Sequence, residues 1–280
     1  MIVVLIVAIA AAGGLYWWQL RKLGPAGKSA AVATAPVQTA SSAAPPAEPA
    51  IQFPIDSAGA VKPALPSLAN SDNYLASAVG GLVPRSDVLQ FLQLDKLAIR
   101  VVATVDNLAR LHAAPMLWPV TPTPGRFTVG KGAASTTISA TNSQRYTPLV
   151  HFIESVDSTK AVALYLNAYP LFQQAYEELG YPRRYFNDRL VAVIDHLLAT
   201  PVSSEGLSVK LTEVKGPIAT ARPWVRYEFS DATLESLSSG QKMMLRVGPD
   251  NQARLKVKLQ EFRRQIMGAV VGKPADAAKP

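Results

Sequence analysis

Gln144 to Pro201 reads QRYTPLVHFIESVDSTKAVALYLNAYPLFQQAYEELGYPRRYFNDRLVAVIDHLLATP, and this stretch decides the fold. Apolar residues recur at Val162, Tyr165, Tyr169, Phe172, Tyr176 and Leu179. Steps of three and four put them on one stripe of a helix. Pro170 interrupts the pattern, because proline removes a backbone donor and crowds the preceding turn. The expectation is either a kink at Asn167–Tyr169 or two short helices, the second with Pro170 in its first turn. Gly180, followed by Tyr181 and Pro182, ends this arm as a helix C-terminus does. A second arm starts near Asn187, with Phe186, Leu190, Val193, Ile194 and Leu197 as its buried stripe. Asn187 has the chemistry to cap the orphan amides, and Asp188 suits the positive end of the helix dipole. Thr200–Pro201 stops it. The reading is a helical hairpin at the heart of the domain, with Tyr165, Tyr169, Phe172, Tyr176 and Tyr185 as packed core whose hydroxyls reach the rim.

Outward from the hairpin, further helices are expected. Ser71 is placed as an N-cap with Asp72 in the first turn of a short helix ending at Gly80–Gly81. A longer helix, Leu94 to Arg110, carries Leu94, Leu97, Val101, Val105 and Leu108 on one face. Asp106 lies near its C-terminal end, an electrostatically poor place for an acid. That position hints at an arginine partner, although a solvated carboxylate is the simpler reading. Phe127–Val129 reads as a short strand and Lys131 to Asn142 as a polar loop. Val209–Leu211 and Val225–Phe229 alternate as a small β hairpin. Ser238 and Gln241 form an S-x-x-Q capping box. A last helix starts near Pro249–Asp250 on the stripe Leu255, Leu259, Phe262 and Ile266, with Arg254, Lys256, Lys258, Arg263 and Arg264 as a solvated basic face. The fold class is therefore mainly α, an α-helical domain with a small β hairpin.

The chain has 280 residues, and its N-terminal quarter has a different composition. Ile2 to Leu20 is free of charge and long enough to span a bilayer as a helix. Tyr16, Trp17 and Trp18 supply an interfacial belt, and Arg21 and Lys22 follow. We read residues 1–22 as an uncleaved transmembrane anchor in contact with the lipid bilayer. Residues 23–66, rich in Ala, Pro, Ser and Thr, read as a disordered linker with a reach of roughly 100 Å at most. Residues 67–267 form the globular domain, and residues 268–280 a disordered tail. An anchor followed by a spacer suggests an inner-membrane, single-pass protein with its bulk in the periplasm. The basic residues after the helix argue for the cytoplasmic face as the alternative.

A net charge of +8 and a pI of about 9.7 permit contact with an envelope protein or an anionic polymer. No nucleic-acid module is recognisable, since the aromatics sit on apolar stripes and not among the basic residues. The absence of cysteine excludes disulfides and thiolate chemistry. The three histidines, His112, His151 and His196, share no helix turn, so no zincin-type metal site exists, and no cofactor is implied. The cluster with most chemical potential is Asn187, Asp188, Arg189, Asp195 and His196. It could bind a ligand or move protons, but caps and ion pairs at helix ends have the same composition. His196 near a helix C-terminus is expected to favour its protonated form. A hydrolase needs only two converging carboxylates, which sequence cannot place.

Several segments together, ATVDNL (Ala103–Leu108), YEELGYP (Tyr176–Pro182), YFNDRL (Tyr185–Leu190), IDHLLATP (Ile194–Pro201) and GQKMMLRVGPDN (Gly240–Asn251), resemble the bacterial family called domain of unknown function 3014. The resemblance implies an anchored protein with a Pro/Ala-rich spacer. It implies no activity and supplies no site residues. The functional expectation is a cell-envelope binding or scaffold module, leaning away from an enzyme. The alternative is a membrane-tethered hydrolase acting on an envelope polymer.

Overall fold

Helices α1 (Asp72–Gly80), α2 (Arg85–Phe91) and α3 (Leu97–Leu108) open the fold, and α3 is its axle. Leu97, Ala98, Val101, Val102, Ala103, Val105 and Leu108 are all buried, so α3 is apolar nearly all round. A helix of that kind belongs inside a protein. Each fully buried side chain of this size contributes about 1.5–3 kcal/mol. The N-terminus of α3 is capped from outside. The Asp72 carboxylate on α1 accepts from the amides of Lys96 (2.9 Å) and Leu97 (3.3 Å). The computed structural model describes residues 50–55, 64–132, 135–202, 206–212 and 223–270. The expected membrane anchor lies outside these residues. Among the described residues no helix is long and apolar enough to cross a membrane.

The central stretch folds as three helices: α4 (Thr141–Ser155), α5 (Ser158–Glu178) and α6 (Phe186–Leu198). Two expectations need correction. First, α5 runs as one helix through Pro170, just as α4 runs through Pro148, so the alternative of two short helices is set aside. Burial of Ala168, Tyr169, Leu171 and Phe172 around the proline holds the helix across the missing hydrogen bond. Second, the two arms are not each other's main partners. Both α5 and α6 pack against α3 more extensively than against one another. Helix α9 (Pro249–Gly268) closes the bundle, lying against α4, α5 and α6 through Leu255, Leu259, Phe262 and Ile266.

The mainly helical reading holds, with two small antiparallel hairpins in place of one. Strand β1 (Val129–Lys131) pairs with β2 (Thr136–Ile138), and β3 (Val209–Leu211) pairs with β4 (Tyr227–Phe229). The expected loop over Lys131 to Asn142 thus contains a strand, whose Thr-Thr-Ile composition suits a pleated surface. An isolated bridge, Thr137 to Ser208, joins the hairpins edge to edge. Val209, Phe229 and Leu245 form a second, smaller core under them. Helices α7 (Ala232–Glu235) and α8 (Ser239–Arg246) lead back to the bundle. The Ser238–Gln241 capping box at the start of α8 is present as expected. At that point α8 abuts the end of α3, and the Ser239 amide donates to Arg110 O at 2.7 Å. Gly240 permits this approach, because a Cβ there would lie 2.9 Å from Leu108 O and 2.6 Å from a Leu197 methyl.

Candidate functional site

The five residues singled out by sequence all lie on α6, but the fold sends them to three separate places. At its head, Tyr185 and not Asn187 occupies the N-cap position. Asn187 is fully buried. Its Oδ1 accepts from the Tyr165 hydroxyl (3.0 Å), and its Nδ2 donates to Phe53 O (2.8 Å). Asp188 accepts from the amides of Gln52 (3.0 Å) and Phe53 (2.8 Å). Residues from the expected linker therefore dock on the head of α6. Ile55 is buried beneath them, and it bridges Val270 from the expected tail. Burial drives the Tyr165 phenol well above its ordinary pKa, and the Tyr169 phenol beside it likewise. These hydroxyls act as hydrogen-bonding groups and not as acids.

Arg189 turns to α3. Its Nε donates to Asp106 Oδ1 (2.9 Å) and its Nη2 to Asp106 O (2.8 Å). Arg110 reaches Asp106 Oδ2 at 2.5 Å, and the Tyr181 hydroxyl donates to the same oxygen at 3.1 Å. The Asp106 side chain is only 5 % exposed, so the solvated reading is corrected and the arginine partner is real. Two guanidiniums offset both a buried carboxylate and the negative end of α3.

At the tail, Asp195 pairs with Arg263 on α9, and His196 Nε2 lies 2.8 Å from Ser238 Oγ. Burial, aided by the Arg189 charge, lowers the His196 pKa. This corrects the expected protonated form, because desolvation outweighs the helix terminus. The serine–histidine spacing suits a nucleophile and its base. Yet Ser238 Oγ is buried and accepts the Gln241 amide as a helix cap, and among the described residues no carboxylate orients the imidazole. Four of the basic residues on α9 are also engaged: Arg254 with Glu154, Lys258 with Glu261, Arg263 with Asp195, and Lys256 with the Thr200 carbonyl. The expected solvated basic face is largely an ion-paired seam. Ser71, expected as a cap, instead donates its hydroxyl back to Leu68 O at 2.8 Å.

Sequence reasoning missed the feature with the most open chemistry. A cleft of about 120 Å³ lies between β4, the segment from Leu111 to Pro115, and α8. Glu228, Glu235, Lys242 and Arg246 line it together with Tyr227 and His112. Lys242 Nζ donates to Glu235 Oε1 at 2.8 Å, and Lys210 faces Glu228 at 3.5 Å. Glu235 also accepts the Phe229 amide at 2.8 Å. Arg246 donates to Tyr227 O at 2.9 Å and lies over the Phe229 ring. Desolvation lowers its pKa. Lys210 and Glu228 sit directly opposite in the β3–β4 register. That cross-strand pair was the available signal, since both residues fall mid-strand in the expected hairpin. No group of three His, Asp or Glu side chains suited to a metal occurs among the described residues.

With this geometry in hand, comparison with known proteins is informative about kinship alone. The chain belongs to the family described as "Protein of unknown function (DUF3014)", whose sequence model matches residues 97–263. That span takes in α3 through most of α9 and leaves out α1 and α2. No curated protein and no solved structure gives a match.

Proposed function

We propose that this member of a family of unknown function is a non-catalytic binding or scaffold module, tethered to the inner membrane by Ile2–Leu20 and displayed on the periplasmic side. The observation that carries the reading is the use the fold makes of its chemically capable groups. Asp106, Asp188, Arg189, Asp195 and His196 are each engaged in joining one element to another. Open among the described residues is the cleft beside the β3–β4 hairpin, whose apolar lining includes Leu111, exposed at 58 %, with Val225 and Met243. A concave surface with apolar walls and a few fixed polar groups is the usual form of a binding site. The apolar N-terminal run and the Ala/Pro spacer support the tethered placement.

The hydrolase alternative is favoured by one observation, that Glu228 and Glu235 line the same cleft. Against it, each carboxylate is already paired with a lysine, and Glu235 also accepts a backbone amide. Two experiments test the proposal. A reporter fused after Gly268 that is active only outside the cytoplasm should be active, and a positive cytoplasmic reporter instead overturns the placement. A photo-crosslinking residue at Leu111 should capture a discrete partner in whole cells, while one at Val257, also exposed but outside the cleft, should not. Hydrolysis of an envelope polymer that is abolished by Glu235→Gln overturns the non-catalytic reading.

A further inference from the structure

The geometry points to a peptide-recognition site at the head of α6, built from Tyr185, Asn187 and Asp188, that binds a bent apolar–Pro–apolar segment and is filled in this chain by its own residues Gln52–Ile55. This site is separate from the cleft and does not depend on the function proposed for it. Every backbone N–H between residues 52 and 55 has a partner, and so does the Phe53 carbonyl. Asp188 Oδ2 takes the Gln52 amide at 3.0 Å, and Asp188 Oδ1 takes the Phe53 amide at 2.8 Å. The Tyr185 hydroxyl accepts from the Ile55 amide at 2.9 Å. Residue 54 is proline and has no N–H to satisfy. The Phe53 carbonyl is met by Asn187 Nδ2 at 2.8 Å. A buried or half-buried segment needs its main-chain groups paired, and here side chains do what a neighbouring strand would do in a sheet.

The receiving groups are fixed by the domain itself. Asn187 is buried and oriented by the Tyr165 hydroxyl, and the Tyr185 ring packs on Tyr169 with centroids 5.3 Å apart. Asp188 is set by the first turn of α6. Such preorganisation is what a receptor needs before its ligand arrives. The bound segment, by contrast, has the sequence form of a ligand. Ile51, Phe53 and Ile55 alternate as a strand does, inside a run otherwise rich in Ala, Pro and Ser. Ile55 is 8 % exposed and Phe53 packs against the main core, while Ile51 is 54 % exposed, so the grip rests on two apolar side chains, four main-chain groups and the bridge from Ile55 to Val270. A hold of that size is comparable with the cost of ordering the residues that make it, which renders the segment exchangeable.

The test uses the purified full chain carrying Phe53→Asp and Ile55→Asp, which empties the site. A fluorescein-labelled peptide with the sequence of residues 48–57 is titrated and followed by anisotropy. We expect saturable binding to the emptied chain and binding at least about tenfold weaker to the unaltered chain, where the cis segment competes at high effective concentration. Adding Asp188→Ala to the emptied chain should weaken binding by about tenfold or more, as loss of a charged acceptor for two amides requires. Absence of saturable binding to an emptied chain that still unfolds cooperatively overturns the proposal, as does binding indifferent to Asp188→Ala. Loss of cooperative unfolding in the emptied chain overturns it as well, since the segment would then be fixed core and not a ligand.

Discussion

The two ends of α6 are built from the same kinds of residue and held in opposite ways. At the head, buried or half-buried side chains meet main-chain groups of a distant segment, with Asn187 at zero exposure. At the tail, partly exposed side chains meet other side chains, and the Asp195 carboxylate is 45 % exposed beside Arg263. Between them Arg189 spans from α6 to the buried Asp106. The difference teaches that polar residues in one short helix do separate jobs when the helix touches a different neighbour on each turn. Burial and the kind of partner set what each is worth, and residue type does not.

That comparison can be broken by measurement. The largest effect is expected from Arg189→Leu, which leaves the Asp106 carboxylate with the more exposed Arg110 as its remaining charged partner, beside the Tyr181 hydroxyl. Urea denaturation should show a loss of about 3 kcal/mol, the scale for removing one member of a buried pair. Gly240→Ala follows, since the added methyl meets the Leu108 carbonyl and crowds Leu197 at the tail. It should cost about 2 kcal/mol by the same assay, opposite in sign to the usual gain for Gly→Ala in a helix. Asn187→Leu orphans the Tyr165 hydroxyl and the Phe53 carbonyl and should cost roughly 2 kcal/mol. Asp195→Asn should cost less than about 1 kcal/mol, as exposed pairs do. Equal losses for Asn187→Leu and Asp195→Asn would remove the distinction between head and tail.

The smallest effect is a pH dependence. Burial holds the His196 pKa below its unfolded value of about 6.5. The neutral form is therefore favoured by folding, and its contribution is present above that unfolded value and fades as pH falls through the folded one. The unfolded chain binds more protons in this window, so stability rises with pH there. Thermal melts between pH 5 and pH 7 should show a shallow slope that flattens in His196→Gln.

Helix positions were legible because periodicity carries them. The stripe on α9, the axle residues Leu97, Val101, Val105 and Leu108, the Ser238–Gln241 box and the β3–β4 hairpin all follow from local pattern. What packs on what was not legible. Nothing local says that α3 lies against both arms, because that depends on how several stripes share one core. The candidate site suffered most. Adjacent polar residues were pooled as one constellation, although neighbours on a helix point about 100° apart and so reach different partners. The alternation Ile51, Phe53, Ile55 within the spacer was a readable sign of docking, but the surrounding composition masked it. The Lys210–Glu228 pair was readable too, once the hairpin register is assumed.

The bridge from Ile55 to Val270 has a topological consequence. The described chain comes into the domain and leaves it at one point, so its backbone forms a nearly closed ring. A short covalent link from Ile55 to Val270 would preserve the order of every helix. New ends could then be opened at the Leu179–Gly180 turn, which is exposed and carries a glycine at φ 111°. The domain is thus a candidate for circular permutation, and for splicing as a cassette into a loop of an unrelated host, where both junctions would fall side by side.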